Sequence, residues 1–274
     1  MEISQKLPDR SYRKFSKLIY ENCGINLHDG KREMVRARLS KRMRIIGCKN
    51  FEEYYRIITE DKSGKELVLM LDTVSTNLTS FFREEKHFKF LSDKTFPEYE
   101  KRSCKSLRFW SAGCSSGEEP YSLAIWLYEH LSNLSSYDIK ITATDISTKV
   151  LSEAEKGIYA TNKLEKMPKL QIRKYFQRGY DSQEGYFRIK HHIKEMIDFK
   201  RFNLVSTFDF GEYFDLIFCR NVMIYFNKET RKQLIDKFYN SLKQGGYLFV
   251  GHAESLTGID HRFKYVQPSV YRKT

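Results

Sequence analysis

The 274-residue chain is 41% hydrophobic and 15% aromatic, enough apolar material for one large or two modest cores, which excludes global disorder. A formal net charge of +13 calls for an acidic partner, while the lack of any apolar run of about 18 residues argues against a membrane-spanning helix or direct insertion. The five cysteines (Cys23, Cys48, Cys104, Cys114, Cys219) are odd in number and without a C-x-x-C pair, so neither a disulfide framework nor a metal centre is expected, and a reducing, cytoplasmic setting fits.

The N-terminal stretch MEISQKLPDRSYRK has no apolar core of leader length. Helical periodicity follows over 11–22, 31–46, 51–60 and 65–75, broken at Gly24, Gly30, Gly47 and Gly64. In KREMVRARLSKRMRIIG, Val35, Leu39, Met43 and Ile46 fall on one stripe, and Lys31, Arg32, Arg36, Arg38, Lys41, Arg42 and Arg44 fill most of the remaining surface. Residues 27–49 hold 8 Lys/Arg against 2 Asp/Glu, so much of the excess charge is local. Such a face is either a solvated helix surface or a docking face for an acidic helix or nucleic acid.

Residues 1–78 therefore read as a helical domain, 79–100 as a linker, and 101–274 as an α/β domain. In the last, the runs LRFW, IKITATD, FDLIFC and GGYLFVGH read as buried strands, with helical stretches at 120–132, 147–156 and 228–243 between them. Residues 172–202 read as an inserted small antiparallel β-subdomain turning between Gly179 and Gly185, and FKYVQPSVYRK as a last strand beside GGYLFVGH.

In an open α/β sheet the ligand lies beyond the carboxyl ends of the strands, so the residues there carry the chemistry. After the first strand comes SAGCSSGEE, with Gly113 and other small residues that allow close approach to backbone. The spacing is neither G-x-G-x-x-G nor a phosphate-cradling G-K-[ST], which disfavours a pyrophosphate. Asp145 after the second strand is placed to accept both ribose hydroxyls of a nucleoside, or to cap the helix that begins near Ser147. Asn203 stands before the FDLIFC strand, and Arg220, Asn221 and Val222 follow it.

The stretches TNLTSFFRE, WSAGCSSGEEPYSLA, ATDIS, KGIY, FDLIFCRNVMIYF and LFVGHAESL, in this order over 76–256, resemble the bacterial chemotaxis receptor glutamate O-methyltransferase family (CheR-type). LIYENCGINLHDGKREMVRARLSKR is more weakly similar. The resemblance implies a helical domain followed by a Rossmann-like methyltransferase domain with a β-insertion. It also implies S-adenosyl-L-methionine as cofactor, S-adenosyl-L-homocysteine as product, and receptor glutamates as substrate. Cofactor contacts carry over onto Asn77, Thr79, Arg83, Asp145, Asn203, Leu204, Asn221, Val222 and one of Glu118 and Glu119.

A glutamate with a pKa of about 4.3 is already ionised at neutral pH, so positioning and desolvation, not a general base, carry its methylation. Arg83, Arg220 and Tyr225 are the candidates to hold the substrate carboxylate. Arg36, Arg38 and Arg42 are candidates for docking the receptor's cytoplasmic helical domain, and Arg178 and Arg188 for capturing a receptor C-terminal tail peptide through the β-subdomain. The rival readings are an RNA methyltransferase and a non-enzymatic signalling adaptor. The basic window lacks an aromatic residue to stack on a base, so no nucleic-acid partner is expected.

Overall fold

A computed structural model describes residues 6–207 and 210–274; the first five residues of the stretch read for a leader lie outside it. The chain begins with four helices, α1 (Asp9–Cys23), α2 (Arg32–Ile46), α3 (Phe51–Glu60) and α4 (Lys65–Val74), each within two residues of the bounds that periodicity predicts. Gly24 and Gly47 end α1 and α2 in the left-handed region, with φ of +73° and +78°, where an L side chain is strained. The Asn50 side chain starts α3 by accepting the Glu53 N–H at 2.9 Å. Val35, Leu39 and Met43 of the predicted stripe pack on Phe15, Ile19 and Tyr54 in the core of this bundle.

Residues 79–100, expected as a linker, form α5 (Glu85–Phe90), a π-helical turn (Leu91–Thr95) and α6 (Phe96–Glu100). Phe81, Phe88, Leu91, Phe96 and Tyr99 sink into the main core, so the segment packs with the sheet domain. Its apolar residues recur at helical spacing between charged ones, which makes a short covering element look like a polar connection.

The sheet domain follows as β1 (Ser106–Ala112), α7 (Glu118–His130), β2 (Asp138–Asp145), α8 (Thr148–Lys156), β3 (Ile158–Ala160), α9 (Lys169–Tyr175), β4 (Phe176–Arg178) and β5 (Tyr186–Ile189). It is completed by α10 (His191–Lys194), β6 (Ile197–Arg201), β7 (Phe214–Cys219), α11 (Lys228–Ser241), β8 (Leu242–Val250), β9 (Lys264–Gln267) and β10 (Val270–Arg272). Seven strands form one sheet in the order β6-β2-β1-β7-β8-β10-β9, in which β6, β2, β1, β7 and β8 pair in parallel. Chain order reverses between β1 and β7, which opens the crevice at their carboxyl ends.

The insertion differs from expectation in one strand. IDFKR, predicted as antiparallel within 172–202, is β6 and runs parallel to β2 at the sheet edge, from Ile141 opposite Ile197 to Asp145 opposite Arg201. The third strand of the small sheet is instead β3, from upstream, in the order β3-β5-β4. Alternation of apolar and polar residues is the same signal for either partner, so the sequence left the pairing open. The C-terminal segment forms the antiparallel hairpin β9–β10, with β10 against β8.

The helical domain is fastened directly to the sheet domain. Asp72 on α4 accepts the Thr148 N–H at 3.0 Å and its hydroxyl at 2.7 Å. The Asn26 N–H donates to the Tyr225 carbonyl at 2.8 Å, and the Asn203 side chain donates to the Asn22 carbonyl at 2.6 Å. A Cβ on Gly24 would enter the van der Waals shell of Val205 Cγ1. Gly24→Ala is therefore expected to destabilise the protein by about 1 kcal/mol or more, seen as a lower urea midpoint; an unchanged midpoint would show that this junction is slack.

Candidate cofactor and substrate site

The turn between β1 and α7 is stitched to the end of β2, because the Gly113 and Cys114 N–H groups donate to the Thr144 carbonyl at 2.8 and 2.9 Å. Gly113 has a φ of +86°, and a Cβ there would collide with Val222 Cγ2, so backbone rather than side chain faces the crevice. Asp145 closes the same turn by accepting the Ser115 N–H at 2.9 Å and the Ser147 N–H at 3.0 Å, one on each oxygen. Burial raises its pKa against the pull of those donors. The cap of α8 is Ser147, whose hydroxyl takes the Val150 N–H at 3.4 Å, so capping is not what Asp145 does.

Glu118 and Glu119, equivalent in the sequence, separate here. Glu118 is fully buried and turned away, paired with Lys163 at 3.0 Å and with the Ser116 hydroxyl at 2.7 Å. Glu119 lines the crevice, accepting the Ser111 hydroxyl at 2.7 Å and Arg220 Nε at 2.8 Å. Arg220 is buried and committed: its Nη1 lies 3.2 Å from His87 Nδ1 and 3.8 Å from Glu84, and its plane stands over Phe88 and Phe218. Burial first, then the Arg220 charge and His252, lowers the His87 pKa to about 3, so the imidazole is neutral.

A cavity of about 310 Å³ occupies the crevice, within the range of small-molecule sites. Asn77, Thr79, Arg83, Gly113, Glu119 and Asp145 line it, as do Asn203, Leu204, Asn221, Val222, Arg220 and Tyr225; among the residues expected at the cofactor, Glu118 is outside. Asn203 lies at the wall with its amide already donated to α1. The buried side-chain oxygen of Asn221 has no hydrogen-bond partner. Arg83 donates to the Leu78 carbonyl at 2.8 Å and has no acidic partner among the described residues. Cys23, His28 and Lys31 of the helical domain complete the wall, a contribution not anticipated from sequence because residues far apart in the chain carry no local sign of converging. Small turn, paired acids, unpartnered amide oxygen and enclosed volume together fit a cationic nucleoside.

Glu84, His87 and His252 also bring potential ligand atoms within 4.8 Å of one another. The Arg220 guanidinium lies against both Glu84 and His87 and opposes a divalent ion there.

The expected docking arginines have partners of their own. Arg36 pairs with Glu33 at 2.8 Å, Arg38 donates to the Val74 and Ser75 carbonyls at 2.6 and 2.9 Å, and Arg42 holds Glu66 through two bonds of 2.9 and 2.6 Å. Lys31, Lys41, Arg44 and Lys49 are the exposed cations of residues 27–49. Arg178 and Arg188 are exposed on the small sheet and line a groove of about 210 Å³ with Tyr180, Tyr186 and Phe187.

Residues 77–272 match the family profile described as CheR methyltransferase, SAM binding domain, and residues 10–75 match CheR methyltransferase, all-alpha domain. The chain is 42% identical to a chemotaxis protein methyltransferase of Borreliella burgdorferi, covering 94% of this chain and 92% of that one. It is 38% identical to the Escherichia coli chemotaxis protein methyltransferase, with coverage of 97% and 91%, and 36% identical to chemotaxis protein methyltransferase 2 of Pseudomonas aeruginosa, with 95% and 91%.

The neutral His87 gives a stability signature. Because its pKa is lowered in the fold, the unfolded chain binds a proton between about pH 6.5 and pH 3 that the folded chain does not. Its contribution is complete above about pH 6.5 and is lost by up to about 1.4 kcal/mol per pH unit as pH falls through that window. His87→Gln should flatten the stability profile there in urea titrations at graded pH; an unchanged slope would contradict the assignment of a neutral, buried imidazole.

Proposed function

This chain belongs to the CheR methyltransferase family, and from that premise we propose that its reaction is methylation of glutamate side-chain carboxylates on chemotaxis receptors. It is an S-adenosylmethionine-dependent chemotaxis methyltransferase; the glutamate acceptor and the use of each residue are the proposal. The observation that carries it is the division of labour between two arginines. Arg220 is consumed by Glu119, Glu84 and His87, while Arg83 lines the cavity without an acidic partner among the described residues.

The bound cofactor supplies a methyl group made electrophilic by its sulfonium. Beside the internally paired Glu119 and Arg220, Asp145 gives the cavity a carboxylate suited to a nucleoside, and each of its oxygens keeps acceptor capacity for a ribose hydroxyl beyond the backbone N–H it takes. Arg83 and the Tyr225 hydroxyl, both at the cavity wall, would hold one oxygen of the incoming carboxylate and leave the other free toward the bound cofactor. Because that carboxylate is already ionised, none of these residues would need to take up a proton. Fixing the carboxylate in one orientation contributes on the order of 7 kcal/mol or more to lowering the barrier.

The basic face of the helical domain steers an acidic receptor helix toward the cavity mouth, through Lys31, Lys41 and Arg44 more than through the partnered arginines. Lys41→Glu with Arg44→Glu should raise KM for a receptor cytoplasmic fragment, more so at low salt, and leave cofactor affinity unchanged. Equal KM across salt in both proteins would reduce this face to a solvated surface. The groove beside Arg178 and Arg188 captures an acidic receptor-tail peptide along an exposed sheet edge. Calorimetry should show micromolar binding that Arg188→Glu weakens, and failure of every receptor tail from the source cell to bind would remove this tether.

With methyl-labelled S-adenosylmethionine, the chain is expected to label the cytoplasmic fragment of a receptor and not RNA. Label in RNA alone would establish the nucleic-acid reading, and binding of cofactor without transfer would favour the adaptor.

A further inference from the structure

Glu254, in the loop after β8, is buried and has no cation within ion-pair distance among the described residues, an unfavourable place for a carboxylate without a specific reason. Its partners are backbone donors. One oxygen accepts the N–H groups of Asn221 and Gly251, each at 2.7 Å, and the other accepts the N–H of Ile224 at 3.1 Å. The two loops that leave β7 and β8 are thus joined through one side chain. Gly251 has no room for more: a Cβ there would lie 2.7 Å from both Glu254 Oε2 and Asn221 Nδ2.

The conformation held in this way is an uncommon one. Asn221 has a φ of 61°, and its buried side-chain oxygen is unpartnered at the cavity wall. Val222, Ile224 and Tyr225 follow it along the same wall. We propose that Glu254 is a positioning residue, which holds the 221–225 loop in its left-handed start so that the wall from Asn221 to Tyr225 meets the cofactor and the substrate already formed. Binding then does not have to order this loop, and the strain at Asn221 is offset by three charge-assisted hydrogen bonds.

The inference rests on the cavity being the cofactor site, so wild-type binding of S-adenosylhomocysteine is measured first; its absence would remove that reading before Glu254 is tested. Glu254→Gln keeps the shape but sets an amide N–H against backbone donors, and is expected to weaken S-adenosylhomocysteine binding about tenfold or more, the size associated with one orphaned buried group. Asn221→Gly tolerates the positive φ and removes the whole side-chain amide, its unpartnered oxygen included. If Glu254 acts through Asn221, the double variant should bind little worse than the weaker single variant, whereas additive losses would make Glu254 merely structural and overturn the proposal. Hydrogen exchange on the wild-type protein supplies a test that needs no variant. The amides of 221, 224 and 251 should be protected before any ligand is added, and free exchange that slows only with S-adenosylhomocysteine would contradict the proposal.

Discussion

The buried pair of Glu119 and Arg220 is the contact on which the catalytic half depends. It joins the first turn of α7 to the end of β7, is extended by the Ser111 hydroxyl on β1, and reaches His87 and Glu84 at α5. Glu84 in turn accepts the His252 N–H at 3.1 Å, which brings in the loop after β8. Removing one member of such a pair strands a buried charge, commonly at 3–5 kcal/mol. The arrangement also separates the two arginines: the one that looked available after a strand is the one that cannot leave its post, and Arg83 lines the cavity without an acidic partner among the described residues.

The second constraint is the close approach of two domains. Their junction is made of the Asn26–Tyr225 backbone hydrogen bond, the Asn203 amide on Asn22, the Asp72 carboxylate of α4 received by Thr148 at the start of α8, and Gly24 packed on Val205. That closeness makes Cys23, His28 and Lys31 part of the cavity wall. Arg38 and Arg42, both on α2, tie down the end and the start of α4, so much of the positive charge on α2 builds the domain and the remainder is exposed.

What the sequence disclosed follows physical locality. Helices α1 to α4 and strands β1, β2, β7 and β8 announce themselves by periodicity within a few residues, and the crevice follows from where the strands end. Glu118 and Glu119 were indistinguishable because adjacent residues on a first turn differ only in what packs against each, here Lys163 and Arg220. The partner of β6 was undecidable for the same reason, as was the burial of 79–100. Glu254 gave no signal of its role, since a lone acid in a loop resembles any solvated residue until its three amide donors are seen.

The central claim is that the acceptor is a carboxylate oxygen, and the bond formed is its most direct test. A receptor fragment labelled by this protein from methyl-labelled S-adenosylmethionine should release the label as methanol in mild alkali, as a glutamate methyl ester does. Label that survives alkali, as on nitrogen or in an ether, would contradict the account.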